Sequence, residues 1–438
     1  MTSYQILCLL ATLALATSLI SSHLHRLQET VAITAFSLCL SLLVLLVGKG
    51  LGDDIYAPLV QGLQQLDFDA VLLKGMLGFL LFAGALQIRL KVLRHQKWEI
   101  LTLSLLSTGI STCVVGGVLF WIAPWLGLPL QLSHCLLFGA LISPTDPIAV
   151  LAIIKKLGAP EDIAIQVEGE SLFNDGIGLV IFVSIFQLAF STEPLTLADV
   201  GNLFLREALG GILYGALLAG ALYLLFRLCE DDAQLMLITL SIPTAGYVFA
   251  ETLGVSGPLA MVSAGILIGN VCIPKYFSHF ERLKLGVFWS LIQAFFNDLL
   301  FLLLGLILLL VHFDTELWWF VLTAIPLVLF ARTVSVLLPY LGFRLVKSYN
   351  PYAEGILIWG GLRGGLAIAM AMSLPEGTTL SAASELSVRD LLLVMTYSVV
   401  LFSILVQGST IPGLIKRSNR AKPVAAQARP SQDLKETP

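Results

Sequence analysis

The sequence predicts an all-α polytopic membrane protein with about 13 transmembrane helices. The mean hydropathy of its 438 residues is +0.90. Only 12% of the residues are charged, whereas an average soluble protein has about 25%. Apolar runs long enough to cross a hydrocarbon core about 30 Å thick recur along the chain. These runs are continuous, and a membrane β-barrel would instead need alternating segments of about ten residues.

Short polar connections separate the predicted spans and leave no room for a large soluble domain. The spans are predicted at 4–21, 31–49, 68–87, 98–123, 131–154, 163–190, 203–226, 233–250, 255–272, 288–311, 317–338, 352–374 and 389–413. The first could alternatively be a cleaved signal peptide, although no lysine or arginine precedes it.

Cysteine spacing and net charge give no sign of a metal site or of a nucleic-acid partner. The six cysteines occur singly, without a CxxC or Cys/His pattern. The net charge of −4 gives no reason to expect a nucleic-acid partner. The sequence also lacks the G-x-S-x-G elbow of serine hydrolases. We therefore expect no cofactor, no catalytic residue and no enzymatic activity.

Basic residues fall on alternate connections and orient the bundle. One side carries Arg26, Arg89, Lys91, Arg94, Lys97, Lys155, Lys156, Arg227, Lys275, Arg282, Lys284, Arg344, Lys347 and the basic tail after Ile415. By the positive-inside rule this side is cytoplasmic. The N-terminus is then outside and the C-terminus cytoplasmic, which requires an odd number of spans.

Two predicted spans contain helix-breaking residues. The fifth has Pro144 and Pro147 on either side of Thr145 and Asp146, and the twelfth has four glycines around Arg363. We expect both helices to unwind there. Spans 1–6 and 8–13 would then be inverted repeats joined by span 7, with the ion site where the broken helices cross. Alternatively, the prolines only kink a helix and the glycines only allow close packing.

The charges at the two breaks have natural partners in such a crossing. Asp146 can lie against the positive N-terminal ends of half-helices, and Arg363 against the negative C-terminal ends.

The sixth span carries a polar stripe. Glu168, Ser171 and Asp175 follow a 3,4 spacing and share one helix face, and Glu170 and Asn174 share another. Acids within a membrane span indicate a functional site by default. Hydroxyl and carboxylate oxygens are suitable ligands for a hard cation.

Basic residues inside the membrane need acidic partners. Glu170 is the expected partner of Arg332 in span 11, but it could equally contact an ion directly. Asp175 has no obvious permanent counter-charge. A single carboxylate that holds either a proton or a cation, but not both, has the property required of an exchanger.

Four motifs in order resemble the monovalent cation/proton antiporter family 1, which includes the bacterial NhaP antiporters and the animal sodium/proton exchangers. They are Ser-Pro-Thr-Asp-Pro at 143–147, Glu-Ser-Leu-Phe-Asn-Asp-Gly at 170–176, Ala-Arg-Thr-Val-Ser-Val at 331–336 and Gly-Gly-Leu-Arg-Gly at 360–364. The resemblance covers nearly the whole membrane region. It implies exchange of a monovalent cation for H⁺ by a homodimer with an NhaA-like fold embedded in lipid. Because no long regulatory tail follows, a plasma membrane of prokaryotic type is expected.

The resemblance also implies a core domain that moves against a dimerisation domain. The dimerisation domain would comprise 1–97 (helices 1–3) and 231–312 (helices 8–10). The core domain would comprise 98–190 (helices 4–6) and 313–415 (helices 11–13). A linker helix 7 would lie in 191–230, and 416–438 would form a short cytoplasmic tail.

Carried over by motif, the resemblance implies a role for each site residue. Asp175 is the transport carboxylate, and Asn174 is its neutral neighbour. Thr145, Asp146, Glu170 and Ser171 match positions around the cation, with Asp175, Asp146, Thr145 and Ser171 as its ligands. Arg332 bridges to Glu170, and Arg363 compensates charge at the second crossing. The Asn-Asp pair is the pattern associated with electroneutral one-for-one exchange. Sodium is the expected cation, with lithium and potassium as alternatives.

Two positions depart from the family pattern. Asn297 is followed by Asp298, where Ser or Thr is expected. Asn297 could hydrogen-bond residues that surround the site, and the role of Asp298 is left open. Lys74 within span 3 could extend its side chain toward the interface near Asp67 and Asp69.

A cation channel of the same fold is the main alternative function, although no filter sequence such as T-V-G-Y-G is present.

Overall fold

The computed structural model describes residues 3–23, 28–51, 62, 70–128, 130–158, 161–191, 196–229, 231–311, 317–345, 350, 352–376, 379–381 and 384–420. Most of these residues are helical. The helices are α1 Ser3–His23, α2 Glu29–Leu51, α3 Ala70–Gln87, α4 Lys97–Leu126, α5 Leu132–Ile142, α6 Ile148–Leu157, α7 Glu161–Phe190, α8 Leu197–Phe226, α9 Ala233–Thr252, α10 Gly257–Tyr276, α11 His279–Leu309, α12 Trp318–Phe343, α13 Ala353–Trp359, α14 Gly365–Met372 and α15 Val388–Ser418.

Several helices change geometry along their length. A further short helix, Leu90–His95, precedes α4, and the helical backbone of α15 continues to Arg420. The π-helical segments are Ala70–Met76, Thr102–Ser107, Ile242–Gly246, Ile268–Cys272 and Ser403–Gln407, and the 3₁₀ segments are Ala123–Leu126 and Ile307–Leu309. The strands β1 Thr379–Ser381 and β2 Ser384–Ser387 pair antiparallel as a short hairpin before α15.

The all-α class is confirmed. Among the described residues, ten helices are long and apolar enough to cross a membrane. The other three predicted spans coincide with α1 and with the helix pairs α5/α6 and α13/α14. The count of about 13 crossings therefore stays a prediction, as does the orientation of the termini.

Two helices begin well before their predicted starts. Helix α8 begins at Leu197 rather than near 203, and α11 at His279 rather than near 288. A capping box extends each start beyond the apolar run. Ser278 and Glu281 exchange hydrogen bonds between side chain and backbone, and Thr196 and Asp199 do the same. These contacts satisfy amide groups that have no partner within the helix.

Several helix pairs pack along much of their length. Helix α4 packs along α5, α5 against α7, and α12 against both α4 and α15. Helix α2 runs along α11, α3 along α10, and α10 along α8, and α7 also contacts α8 and α10. Small and polar residues bring α2 and α11 together, because Ser41 Oγ donates to the carbonyl of Gly305 at 2.9 Å and the missing side chain of Gly305 makes room for Ser37. The division into a core domain and a dimerisation domain, and the motion of one against the other, stay predictions.

Candidate ion-binding site

Both predicted helix breaks are present, and the broken segments contact each other. The first lies between α5 and α6 at 143–147, and the second between α13 and α14 at 360–364. The backbone N–H of Asp146 donates to the carbonyl of Leu362 at 2.7 Å, which forms an isolated antiparallel bridge. A proline on each side of the Thr145-Asp146 pair removes amide donors that a continuous helix would need. The site is therefore assembled around a crossing of two unwound segments.

Arg363 and Asp146 lie against half-helix ends of opposite charge. The Arg363 guanidinium, which is 2% exposed, donates through Nη1 to the carbonyl of Ser143 and to that of Pro144 at 3.0 Å. Asp146 Oδ1 accepts from the backbone N–H of Ile148 at 2.9 Å, at the start of α6. Partial charges at helix ends favour both placements.

Gly364 allows the second segment to approach the Asp146 carboxylate. A Cβ at this position would lie 2.5 Å from Asp146 Oδ2. Any larger residue would have to displace the carboxylate or the backbone, so glycine is required by the close approach. Gly364 is also the residue before α14, so the carboxylate lies beside the start of this helix as well.

Thr145, Ser171 and Asn174 form one buried hydrogen-bonded group between the first break and α7. Asn174 Nδ2 donates to Thr145 Oγ1 at 2.8 Å, and Asn174 Oδ1 accepts from the Thr145 backbone N–H at 3.4 Å. Ser171 Oγ donates to the Thr145 carbonyl. The Asn174 amide is thus used on both sides to hold Thr145, which leaves the Thr145 and Ser171 oxygens as the better candidates for cation ligands.

Glu170 and Arg332 form a buried two-pronged ion pair. The Nη1–Oε1 distance is 2.5 Å and the Nη2–Oε2 distance is 3.1 Å, and both side chains are at most 5% exposed. Arg332 also donates from Nε and Nη2 to the carbonyl of Leu357 in α13, at 3.2 and 2.9 Å. Because both carboxylate oxygens accept from Arg332, this geometry favours the structural role of Glu170 over direct cation contact.

Asp175 and Asp146 both line a cavity of about 370 Å³. The cavity extends from these partly exposed carboxylates to the exposed side chains of Gln87 and Lys155. The two aspartates are close enough to interact electrostatically. Among the described residues, neither forms an ion pair. A small cation that enters the cavity would therefore meet two uncompensated acids.

The departures at α11 do not contribute to this cavity. Gln293 and Leu300 line it, but Asn297 and Asp298 do not. Asn297 Oδ1 is buried without a hydrogen-bond partner among the described residues, and the expected support of the site by Asn297 stays a prediction. Asp298 is partly exposed on α11, and its role stays open.

Lys74 is exposed on α3, and both acids expected near it, Asp67 and Asp69, lie outside the described residues.

The sequence reasoning missed a hydrogen-bonded support behind the second break. In the π-helical turn of α15, Ser403 Oγ accepts from the Arg363 backbone N–H at 2.9 Å and donates to Gln407 Oε1 at 2.7 Å. Gln407 Nε2 donates to the carbonyl of Trp359 at 3.1 Å, near the end of α13. The sequence did offer a signal for this support, because Ser403 and Gln407 are polar residues four positions apart in an otherwise apolar span.

Comparison with known proteins identifies the family. The family model described as "Sodium/hydrogen exchanger, transmembrane" matches residues 8–417. The chain belongs to this family. It is 40% identical over 410 residues to the "Na(+)/H(+) antiporter NhaP" of Pseudomonas aeruginosa. This alignment covers 91% of this chain and 93% of the relative. It is 34% identical over 355 residues to the "Na(+)/H(+) antiporter NhaH" of Halobacillus dabanensis, covering 80% and 83%.

The fold of this family member is also found in a solved structure. The sodium proton antiporter MjNhaP1 from Methanocaldococcus jannaschii, solved at pH 8, matches with a TM-score of 0.72 and 18% identity. The match covers 95% of this chain and 98% of that chain. At this identity the likeness concerns the fold alone.

Proposed function

We propose that this chain is a secondary antiporter that exchanges a monovalent cation for H⁺ across a membrane. Na⁺ is the favoured cation, and Li⁺ and K⁺ are the alternatives. The names of its relatives support this assignment. The observation that carries it is the placement of Asp175, which forms no ion pair with any described residue and lines a cavity that reaches exposed residues.

Exchange follows from what one such carboxylate can hold. Once water is displaced, an ionised Asp175 needs a positive partner, and it can obtain one as a proton or as a cation. Asp146, Thr145 and Ser171 would supply the remaining oxygens for the cation. Glu170 and Asn174 are occupied by Arg332 and Thr145, so they would hold the ligands in place.

One-for-one exchange would follow if Asp175 is the single carrier. The loaded site would then have the same charge with either ion, so its movement would do no work against the membrane potential. An uncompensated charge would cost about 2.3 kcal/mol per 100 mV. In this scheme the core domain carries the ion site from one side of the membrane to the other by moving against the dimerisation domain. The homodimer and the plasma-membrane location with a cytoplasmic C-terminus are part of the same proposal.

The test uses the full chain reconstituted in proteoliposomes with a pH-sensitive dye inside. An imposed pH gradient should collapse on addition of Na⁺, with a saturable rate that is unchanged when a K⁺ ionophore clamps the potential. Li⁺ and K⁺ additions then rank the cations. A flux that follows the imposed potential without saturating would indicate a channel, and no Na⁺-dependent proton movement would refute the proposal.

The matched variants are Asp175→Asn and Asp298→Asn. Each removes one acid from a predicted membrane helix, but only Asp175 lines the cavity. Asp175→Asn should abolish exchange, and Asp298→Asn should retain it. Exchange that persists in folded Asp175→Asn would refute the role of this carboxylate.

A further inference from the structure

A second cavity adjoins the one that contains Asp175. It has a volume of about 210 Å³ and shares four lining residues with the first, namely Gln87, Ile88, Lys155 and Glu168. We call the second cavity the vestibule and these four shared residues the neck. A cation that passes from the vestibule to Asp175 must pass the neck.

Glu168 differs in charge from the other ionisable residues described around the vestibule. Among the described residues that line it, Arg89 and Lys155 are basic and Glu168 is the one acid. The positive charge of Lys155 at the neck repels an approaching cation. Glu168 offsets this repulsion at the neck, since charges act most strongly at close range.

Glu168 is free to contact an ion. Its side chain is partly exposed, and among the described residues it forms no ion pair with Lys155 or Arg89. Its neighbour Glu170, two positions along the same helix, is buried and fully engaged with Arg332. The two glutamates of the Glu-Gly-Glu sequence therefore face different surroundings.

Glu168 also lies on the path to Asp175. The two acids are seven residues apart on α7, which is about two helical turns and roughly 10.5 Å along the axis. They share one face of the helix. Leu172 lies between them and lines the same cavity. The route from the neck to the transport carboxylate thus follows a single helix stripe.

We propose that Glu168 is a transient binding site for a monovalent alkali cation at the neck, from which the cation passes to Asp175, and that Lys155 opposes this entry. The proposal rests on the proposed antiport function. It assigns Glu168 to the capture of the cation and leaves the exchange step itself to Asp175.

The test compares Glu168→Gln and Lys155→Gln in oriented proteoliposomes, with initial rates of radioactive sodium uptake and of proton movement. When Na⁺ is added on the vestibule side, Glu168→Gln should raise the half-saturating Na⁺ concentration about three- to tenfold, which is the scale expected for one nearby charge in a partly solvated site. Lys155→Gln should lower it. The maximal rates should change less than about twofold, because capture precedes the exchange step.

Two further readouts separate capture from a general structural effect. Adding Na⁺ from the opposite side should give unchanged half-saturation in both variants. Raising choline chloride should shrink the effect, because salt screens exposed charges. Lys156→Gln and Glu354→Gln are the matched controls, since neither residue lines the two cavities and Glu354 is paired with Arg344 at 2.7 Å.

Three results would overturn the neck proposal. They are unchanged half-saturation in Glu168→Gln, an equal change from both sides, or a change of the same sign in Lys155→Gln. If the parent exchanges Na⁺ for H⁺ while one of these results holds, the antiport function stands and only the neck proposal fails. If the unmodified protein takes up sodium without moving protons, the proposed antiport function is refuted. The half-saturating Na⁺ concentration of Glu168→Gln then still decides whether Glu168 captures the cation.

Discussion

Asp146 and Leu362 are joined by a backbone hydrogen bond of 2.7 Å, although 216 positions separate them in the chain. This bond ties the unwound segment of the fifth predicted span to that of the twelfth. Around it, Arg363 contacts the carbonyl end of α5, and Asp146 accepts from the first amide of α6. The ion site is thus built on backbone groups released by both breaks, and small changes at the crossing should alter transport before they alter the fold.

Gly364→Ala should test this close approach. Its added Cβ would lie 2.5 Å from Asp146 Oδ2, so we expect exchange to fall at least about tenfold, as misplacement of a reacting group by about 1 Å can cost this much or more. Gly413→Ala is the matched control, because a Cβ there meets nothing within 4 Å. Proton flux in proteoliposomes measures the change. Normal exchange by Gly364→Ala would argue against a fixed Asp146 position.

Arg332→Ala should mainly destabilise the protein. It leaves Glu170 buried without its partner, which costs about 3–5 kcal/mol of unfolding free energy. Arg344→Ala removes the partner of Glu354, in a pair whose arginine is 55% exposed, and should cost less than about 1 kcal/mol. Thermal unfolding in detergent compares the two.

The double variant Arg332→Ala with Glu170→Gln provides the decisive control. If the loss in Arg332→Ala arises from an unpaired buried charge, removing that charge should recover part of the stability. A double variant as unstable as Arg332→Ala would show that packing of the arginine, rather than its charge, is what the fold requires.

Much of this architecture could be predicted from the sequence, because apolar runs and helix breakers act locally. The breaks at Pro144 and Pro147 and around Arg363 are present, and Arg332 pairs with Glu170 as expected. Hydropathy alone placed the start of α11 nine residues late, because the amphipathic turn after Ser278 is held by a capping box rather than by apolar residues.

The remaining features depend on contacts that hydropathy and motif spacing do not encode. The place of Asn174 beside the ion stays a prediction, and only the structure shows that its amide bonds twice to Thr145. The sequence is compatible with Glu170 either as the ion-pair partner of Arg332 or as a ligand of the cation, and only the two-pronged geometry favours the ion pair. The support of the site by Asn297 stays a prediction, and the sequence does not reveal that its Oδ1 is buried without a partner among the described residues. Each of these outcomes depends on side-chain direction rather than on residue type.

The pH dependence of transport should reveal direct competition at Asp175. Because one carboxylate holds either a proton or a cation, a lower pH fills the site with protons and raises the half-saturating Na⁺ concentration. At sufficiently acidic pH it should rise about tenfold per pH unit if one proton competes with one cation. The maximal rate at saturating Na⁺ should change less over the same range. Initial rates at several pH values on the cation-binding side measure both quantities.

The slope of this competition distinguishes two site stoichiometries. A limit of about tenfold per pH unit fits one titrating carboxylate, whereas about a hundredfold would require that Asp146 and Asp175 release two protons together. Half-saturation that does not vary with pH would contradict competition at a shared site.

Gln407→Met should weaken exchange through the support behind the second crossing. Gln407 is 3% exposed and links Ser403 to the carbonyl of Trp359, while Ser403 accepts from the Arg363 backbone. Methionine is similar in volume but cannot make these bonds, so buried polar groups lose partners at a cost of about 1–3 kcal/mol. Ser409→Ala is the control on the same helix, because Ser409 is exposed and, within the described part of the chain, its hydroxyl donates only to carbonyls of its own turn. If the link positions Arg363, Gln407→Met should raise the half-saturating Na⁺ concentration even at temperatures where the protein is fully folded, and Ser409→Ala should not. A lower melting temperature with unchanged sodium dependence would show that the π-helical turn stabilises the bundle without positioning the ion site.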